Sequence, residues 1–147
     1  MKLTAKSHYS VKALLDLSLQ PHYGPASVKA IAQRQDVPAP YLEKLLMEMR
    51  RAGLVVSLRG VQGGYQLARP PQEISLAQIL GAIGEDLEAF PDLEADAADT
   101  ADWVTRSLWR QLQQKFQQVF QTITLADLYY DARSWQASQG QESSFMV

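Results

Sequence analysis

The chain has 147 residues, of which 46% are hydrophobic, and a formal net charge of −2 at pH 7. This length and composition fit a globular protein with one domain, or one domain with an appended element. The absence of cysteine excludes disulfides, a thiolate nucleophile and cysteine-held zinc or iron–sulfur clusters. The apolar runs are short and the N-terminus lacks an apolar signal core, so we expect no membrane span and a cytoplasmic location.

The small net charge hides an asymmetry between the two halves of the chain. Residues 1–70 hold ten basic and four acidic side chains, a net of +6, whereas residues 71–147 hold four basic and twelve acidic ones, a net of −8. A polyanion responds to the nearest charged face rather than to the pI of the whole chain. The N-terminal half is therefore the candidate for binding nucleic acid.

Helical periodicity predicts three helices in the first part of the chain. The first covers residues 4–19 and is stopped by the sequence QPHYGP. Ser27 can cap a short second helix that ends near residue 35, after which DVPAP forces a turn. The third begins at about residue 40, where proline is tolerated in the first turn, and Gly53 ends it.

A β-hairpin is predicted next, because LVVSL (54–58) has β-branched strand character and YQL (65–67) returns with alternating faces. Ser75 then caps an amphipathic helix that extends to Ile83. Residues 84–100 are acidic and without a clear period, and we expect them to form an exposed loop.

Two helices are predicted in the last third of the chain. A long one covers about residues 101–122, and Thr124 can cap a second that ends near residue 136. The polar tail, 137–147, is expected to be loosely ordered unless Phe145 and Met146 dock. The long helix carries an apolar stripe that another surface must cover. Its members are Val104, Leu108, Leu112, Phe116, Val119 and Ile123.

A helix, a tight turn and a helix followed by a hairpin is the arrangement of a winged helix-turn-helix. We thus predict a mainly α fold with one small β-hairpin: a winged helix-turn-helix domain in residues 1–83, the acidic loop, and the long helix with its successor in residues 101–136. In such a domain the second helix of the pair enters the major groove, and the hairpin tip lies against the backbone or the minor groove.

The hairpin loop has the sequence SLRGVQGGYQLAR. Gly60, Gly63 and Gly64 permit positive torsions and close approach to phosphates, and Arg59 suits a narrow minor groove. The loop alone fits a glycine-rich turn with a solvated arginine equally well, but its place after a helix-turn-helix favours a DNA contact. A nucleotide phosphate loop does not fit, because no Lys-Ser or Lys-Thr follows the glycines and the next element is a strand.

The third helix, PAPYLEKLLMEMRRAG, is the candidate recognition helix. Tyr41 and Lys44 can bond phosphates, and Glu43 can accept from a cytosine amino group, although a lone helical glutamate is as often solvated or paired locally. Arg50 and Arg51 contact DNA or simply favour the C-terminal end of the helix dipole.

Ser27 and Lys29, at the start of the preceding helix, are natural phosphate contacts. With the candidates on the third helix and in the hairpin loop, they make up the predicted DNA-binding residues.

These stretches resemble the Rrf2 family of bacterial transcription regulators, which includes IscR, NsrR and CymR. The resemblance covers about residues 1–123, and its most specific parts are YLEKLL (41–46) and GLVVSLRGVQGGYQLAR (53–69). It implies a homodimer with a winged-helix domain at each end, held by the long helix. By that likeness the recognition helix carries Ala39, Pro40, Tyr41, Glu43 and Lys44, and the wing carries Arg59, Gly60, Gln62 and Gly63.

One departure from the family is large. Cluster-binding members place three cysteines before and at the start of the long helix, where this chain reads FPDLEADAADTADWV (90–104) and has none. Some members add a ligand from the first helix, where this chain has His8. One histidine and scattered carboxylates suit a soft metal poorly, so we expect no cluster and no cofactor. The acidic loop could hold a hard cation, but a solvated charge run is the simpler interpretation.

We therefore expect a homodimeric regulator, with repression favoured, that reads a near-palindromic operator in double-stranded DNA. Its signal would be a small ligand, a regulatory protein or its own abundance. A winged-helix protein-interaction module that does not bind DNA is the alternative, and the charge of the basic half counts against it. An enzyme is disfavoured, because the sequence shows no nucleophile–base pair, metal triad or phosphate loop.

Overall fold

The computed structural model describes residues 3–90 and 96–145, with side chains described as far as residue 140. It has six helices and one hairpin within these residues, which confirms the mainly α fold. In chain order the elements are α1 (Ala5–Leu19), α2 (Val28–Gln35), α3 (Ala39–Arg51), β1 (Val55–Leu58), β2 (Gly64–Leu67), α4 (Leu76–Ala82), α5 (Thr100–Thr122) and α6 (Leu125–Phe145), with 3₁₀ turns at Pro21–Tyr23 and Pro71–Glu73.

Four of the helices begin at a hydroxyl cap. Thr4, Ser27, Ser75 and Thr124 each accept a hydrogen bond from the backbone N–H three residues further on, at 3.0 to 3.3 Å. At Ser75 the Gln78 side chain also accepts from the cap backbone at 2.9 Å, which completes a capping box. The caps at Ser27, Ser75 and Thr124 are those that the sequence predicted.

The core lies between α1 and the elements that surround it. α1 contacts α2, α3, α4, α6 and β2, so it is the central helix of the domain. Burial of these apolar side chains is the main term that holds the helices together. The largest fully buried side chains are Leu14, Leu17, Ile31, Leu42, Leu45, Leu46, Met49, Leu54, Ile74, Ile79, Leu80 and Leu125.

The hairpin is joined to the helix-turn-helix by its own backbone. β1 and β2 are antiparallel, with Leu58 opposite Gly64. Tyr65 of β2 also exchanges two backbone hydrogen bonds with Ala26, at 2.8 and 2.9 Å, just before α2. The base of the wing is therefore fixed to the entrance of the helix-turn-helix.

The long helix α5 packs on α4, and none of its residues is buried within the chain. α6 packs on α1 and on the Pro71–Glu73 turn. Residues 137–145 continue α6 instead of forming the loose tail expected from their composition. Polar residues do not by themselves end a helix, and the segment contains no proline. Phe145 and Met146, whose docking was the stated condition for an ordered tail, lie outside the described side chains.

The first part of the acidic loop is held against α5. The backbone N–H groups of Ala89 and Phe90 donate to Gln113 Oε1 at 2.9 and 3.1 Å. The ring of Phe90 stacks on Trp109 with centroids 6.2 Å apart. Residues 84–90 are thus partly packed instead of fully exposed, because apolar side chains interrupt the acidic ones. Residues 91–95, the middle of the expected loop, lie outside the described part of the chain.

No helix in residues 3–90 or 96–145 is both long and apolar enough to cross a bilayer.

Candidate nucleic-acid interface

The turn between α2 and α3 is compact and closed by a hydrogen bond. Asp36 ends α2 in the left-handed conformation, with φ of 54°. The N–H of Val37 donates to Ala32 O at 3.1 Å, and the side chain of Val37 is buried. Pro38 then precedes the first residue of α3. The sequence motif DVPAP therefore produces the tight turn of a helix-turn-helix.

α3 has one buried face and one exposed face. Its core face consists of Leu42, Leu45, Leu46 and Met49, which are at most 2% exposed. The candidate binding side chains lie outside that face. Pro40, Tyr41, Glu43, Lys44, Arg50 and Arg51 are all exposed, and Ala39 is half-buried.

Met47 also lies on the exposed face of α3, and sequence reasoning did not include it. It is 39% exposed, whereas Met49 is fully buried. Both residues belong to the same apolar-rich run, LLMEM. Only the position on the helical wheel distinguishes them, because residues two apart point in directions that differ by about 200° at 3.6 residues per turn.

Tyr41 is anchored at the start of the recognition helix by an aromatic contact. Its ring meets that of Tyr9 in α1 edge to face, with centroids 5.7 Å apart and an interplanar angle of 82°. Such a pair restricts the ring without covering all of it. The side chain of Tyr41 therefore leaves the core in a defined direction.

Arg50 connects the recognition helix to the wing. Its Nη1 donates to Ser57 Oγ of β1 at 3.2 Å. The sequence predicted Arg50 either as a DNA contact or as a residue that favours the helix dipole. Neither interpretation anticipated the bond to Ser57, because it depends on how the hairpin packs against α3. Arg51, the adjacent cation, is exposed in the last turn of α3.

The wing tip presents Arg59, Gly60, Val61 and Gln62 to solvent. Gly60 has φ of +112°, and a Cβ added there would meet nothing within 4 Å. Open space around this left-handed residue leaves room for a close ligand.

The other two wing glycines are required by the protein itself. A Cβ on Gly64 would overlap the backbone of Ala26, and one on Gly63 would overlap the backbone carbonyl of Leu58. Positive torsion occurs at Gly64, with φ of +149°, but not at Gly63. These two positions therefore require glycine because the chain's own backbone lies against them, and an approach of phosphate to the three glycines stays a prediction.

The N-terminus of α2 combines a capping hydroxyl with a cation. Ser27 Oγ accepts from Ala30 N at 3.0 Å, and its own O–H is a further donor. Lys29 is exposed in the first turn. Both lie at the positive end of the helix dipole, where an anion is favoured.

Three cations of the N-terminal half are used inside the fold. Lys6 Nζ donates to Ile83 O at 2.9 Å, Lys12 Nζ donates to Gln35 O at 2.7 Å, and Arg34 pairs with Asp16. The other exposed cations in residues 3–70 belong to the helix-turn-helix and the wing. These are Lys29, Lys44, Arg50, Arg51 and Arg59.

The apolar stripe of α5 divides into two parts. Phe116 packs against other residues of the same chain. Its ring centroid lies 4.8 Å from that of Phe120 and 6.3 Å from that of Phe90. Val104, Leu108 and Val119 are 45 to 53% exposed. Leu112 and Ile123 are half-buried. The exposed members form one side of the helix, because their spacings are close to whole numbers of turns.

His8 lines a cavity of about 420 Å³ between α1, α4 and α5, together with Leu80, Phe116 and Phe120. Within residues 3–90 and 96–145, no group of three His, Cys, Asp or Glu side chains could hold a metal ion. His8 is therefore not placed among further ligands in the described part of the chain.

Known regulators share both the sequence and the fold. The protein slr0846 of Synechocystis sp., an HTH-type transcriptional regulator by name, is 67% identical over 147 residues and 100% of both chains. The solved structure of CymR, the global cysteine regulator of B. subtilis, is similar with a TM-score of 0.76 and 31% identity, over 88% of this chain and 97% of that one. T. potens IscR is similar with a TM-score of 0.74 and 40% identity, over 92% and 91%.

The model of the Rrf2 family, described as "Iron-dependent Transcriptional regulator", matches residues 3–131. The residues present do not fit a cysteine-held iron–sulfur group, because the chain has no cysteine and no three-ligand cluster in the part described. The match and the relatives confirm a regulator and not an enzyme. The chain belongs to the Rrf2 family of transcriptional regulators.

Proposed function

We propose that the chain is a cytoplasmic, homodimeric repressor that binds a near-palindromic operator in double-stranded DNA. The observation that carries this proposal is the exposed polar face of α3, tied to the wing by the bond between Arg50 and Ser57. A helix and a hairpin held in one arrangement can engage a groove and the adjacent backbone together. Occupation of an operator would exclude other proteins from the same DNA, which is the reason to propose repression.

In this proposal α3 enters the major groove. Glu43 accepts a hydrogen bond from a cytosine amino group, and Lys44 and Tyr41 contact phosphates on either side. Glu43 and Lys44 are exposed, and Tyr41 is held by Tyr9. Ser27 and Lys29 contact a phosphate at the start of α2.

The wing supplies the second contact. Arg59 is exposed next to Gly60, whose open surroundings permit a groove to approach the backbone. A guanidinium is suited to the negative potential of a narrow minor groove. The bond from Arg50 to Ser57 fixes the position of β1 relative to α3.

The exposed stripe of α5 supports the dimer. Val104, Leu108 and Val119 form a half-exposed apolar side on a helix of 23 residues. Pairing of this side with the same side of a second copy would bury it, and a two-fold dimer matches a palindromic operator. Half-sites would lie one or more turns of DNA apart, roughly 34 Å per turn.

The signal in a cysteine-free chain is proposed to be a small ligand or a regulatory protein. The cavity beside His8 lies between α1 and α5, at the junction of the winged-helix domain and the long helix. Its volume of about 420 Å³ falls in the size range of small-molecule sites. A ligand there would contact both parts of the molecule.

The test is selection of bound sequences from random duplex DNA, followed by affinity measurement over a range of salt concentrations. We expect an enriched near-palindrome and a binding constant that falls steeply with salt. Arg59→Ala should weaken binding to all sequences, and Glu43→Ala should relax the preference at one base pair of each half-site.

Matched controls are Arg133→Ala in α6 and Glu73→Ala in the Pro71–Glu73 turn, which are exposed outside the proposed contacts and should select the same sequence with the same affinity. The proposal fails if no sequence is enriched. Unchanged DNA binding after charge reversal at Arg59 would instead favour the protein-interaction module.

A further inference from the structure

The exposed face of α3 carries one large aliphatic side chain among polar and charged ones. Met47 is 39% exposed, whereas the four large apolar residues of the opposite face are at most 2% exposed. A single exposed methionine is ordinary on a protein surface. Met47 is of interest because it lies on the face of α3 that is proposed to meet DNA.

Met47 lies at the centre of the face proposed to meet DNA. Glu43 and Lys44 precede it by four and three residues, and Arg50 and Arg51 follow it by three and four. Residues at these spacings share one side of a helix. All four neighbours are exposed, so Met47 has polar groups one turn away in both directions. If α3 lies in the major groove, the terminal cations approach the phosphates and the central residue faces the base edges.

The chemistry of a thioether restricts what Met47 can recognise. Methionine has no hydrogen-bond donor and only a weak acceptor, and its flexible side chain adapts to apolar surfaces. Placing it over the edge of guanine, adenine or cytosine would remove water from polar groups without replacing their hydrogen bonds. The C5 methyl group of thymine is the apolar feature that the major groove presents.

We propose that Met47 is a specificity-determining residue that contacts the C5 methyl group of a thymine in each half-site. This inference rests on the proposed function, because it requires α3 to read the major groove. It adds a preference for one base that the hydrogen-bonding residues of α3 do not supply. Glu43 would select cytosine by accepting a hydrogen bond, and Met47 would select thymine by apolar contact.

The test removes the methyl group from the DNA and the side chain from the protein. Each thymine of the selected operator is replaced in turn by deoxyuridine, which lacks only the C5 methyl, and affinities are measured for the full-length protein and for Met47→Ala. For the unsubstituted protein we expect one position of each half-site to lose roughly fourfold in affinity, the effect of about one buried methyl group. Met47→Ala should bind the thymine and deoxyuridine operators equally well.

Two further variants sharpen the result. Met47→Leu keeps an apolar side chain and should retain sensitivity to the methyl group. Met47→Gln has a similar length and can bond adenine N6 and N7, so repeated selection should shift the preference from thymine to adenine at that position alone. Val56→Ala, an exposed apolar residue of β1, is the control and should leave methyl sensitivity unchanged.

Unchanged deoxyuridine sensitivity at every position in Met47→Ala would overturn the inference while leaving the proposed function intact. An unchanged selected sequence with Met47→Gln would have the same meaning, and that variant also covers the case in which the alanine protein fails to fold. Failure of the unsubstituted protein to enrich any sequence would overturn the proposed function and this inference together. The two failures are therefore distinguishable.

Discussion

Arg34 donates two hydrogen bonds to the buried carboxylate of Asp16, from Nε at 2.9 Å and from Nη2 at 2.7 Å. Gln35 adds a third at 2.8 Å, and Lys12 caps the end of α2 through Gln35 O. The side-chain hydrogen bond raises the pKa of Arg34 above its ordinary value. These bonds join α1, the central helix, to the last turn of α2, so the position of the helix-turn-helix depends on a charged contact as well as on apolar packing.

Replacement of Asp16 by asparagine should therefore destabilise the domain. Asp16 is 2% exposed, and a neutral amide leaves the three donors of Arg34 and Gln35 without their charged partner. We expect a loss of about 1–3 kcal/mol in the free energy of unfolding, measured by urea titration with unchanged m-value. Asp36→Asn is the matched control: Asp36 is exposed with φ of 54°, a conformation that asparagine tolerates, and the change should stay within about 0.5 kcal/mol. Equal effects of the two substitutions would contradict this role of Asp16.

Glu85 should make stability depend on pH. Its carboxylate accepts hydrogen bonds from Thr4 Oγ1 and from Ser7 Oγ, and these bonds, with that from Thr4 the larger cause, lower the pKa of Glu85 below its ordinary value of 4.5. Folding thus favours the charged form, so the stabilisation is fully present above pH 4.5 and is lost as the pH falls through the lowered pKa.

The measurement compares urea midpoints of the unsubstituted protein and Glu85→Gln from pH 7 downwards. The difference between them should be constant above the ordinary pKa and should shrink as the solution becomes more acidic. Glu88→Gln, at an exposed position three residues further on, is the control and should leave the midpoint unchanged. If the difference in urea midpoint grew at low pH, the pKa of Glu85 would be raised by folding and not lowered, which would contradict the prediction.

Gly64→Ala should disrupt the wing. The residue has φ of +149°, and a Cβ would overlap the backbone of Ala26, which exchanges hydrogen bonds with Tyr65. Backbone must move for alanine to fit, and we expect a loss of about 2–3 kcal/mol together with weaker DNA binding. Gly81→Ala is the matched substitution, because a Cβ there meets nothing within 4 Å and alanine favours the helix; stability should rise by up to roughly 1 kcal/mol. If both substitutions changed the free energy of unfolding in the same direction, overlap of the added Cβ with Ala26 would not explain the effect at Gly64.

Leu108→Glu should prevent dimerisation. In the proposed dimer, a charge in the exposed stripe of α5 would have to be buried, without a partner, against the second copy. We expect sedimentation velocity to show a monomer at concentrations where the unsubstituted protein is a dimer, and we expect operator affinity to fall. Gln117→Glu introduces the same residue on the opposite, exposed side of α5 and should not change the oligomeric state. A dimeric Leu108→Glu protein would show that α5 pairs through another surface, or that the dimer forms elsewhere.

The candidate site was largely predictable because its residues are local in sequence. Proline, glycine and capping residues mark the turn of the helix-turn-helix and the ends of its helices, so α2, α3 and the hairpin appear close to their predicted bounds. The roles of Gly64 and Arg50 were not predictable in the same way. The first depends on the approach of Ala26 and the second on Ser57, and both contacts arise only when the hairpin packs on the helices.

The sequence by itself determined the order of the elements, the family and the absence of cysteine ligands, since these follow from residue type and short-range periodicity. The tertiary structure decided which side chains stay exposed and can contact DNA or another protein. It placed Met47 outside the core and Met49 within it, and it divided the stripe of α5 into a half that packs on Phe90 and Phe120 and a half that is exposed. Whether a side chain is buried depends on neighbours that are distant in sequence, whereas a periodic pattern predicts only that a helix has an apolar face.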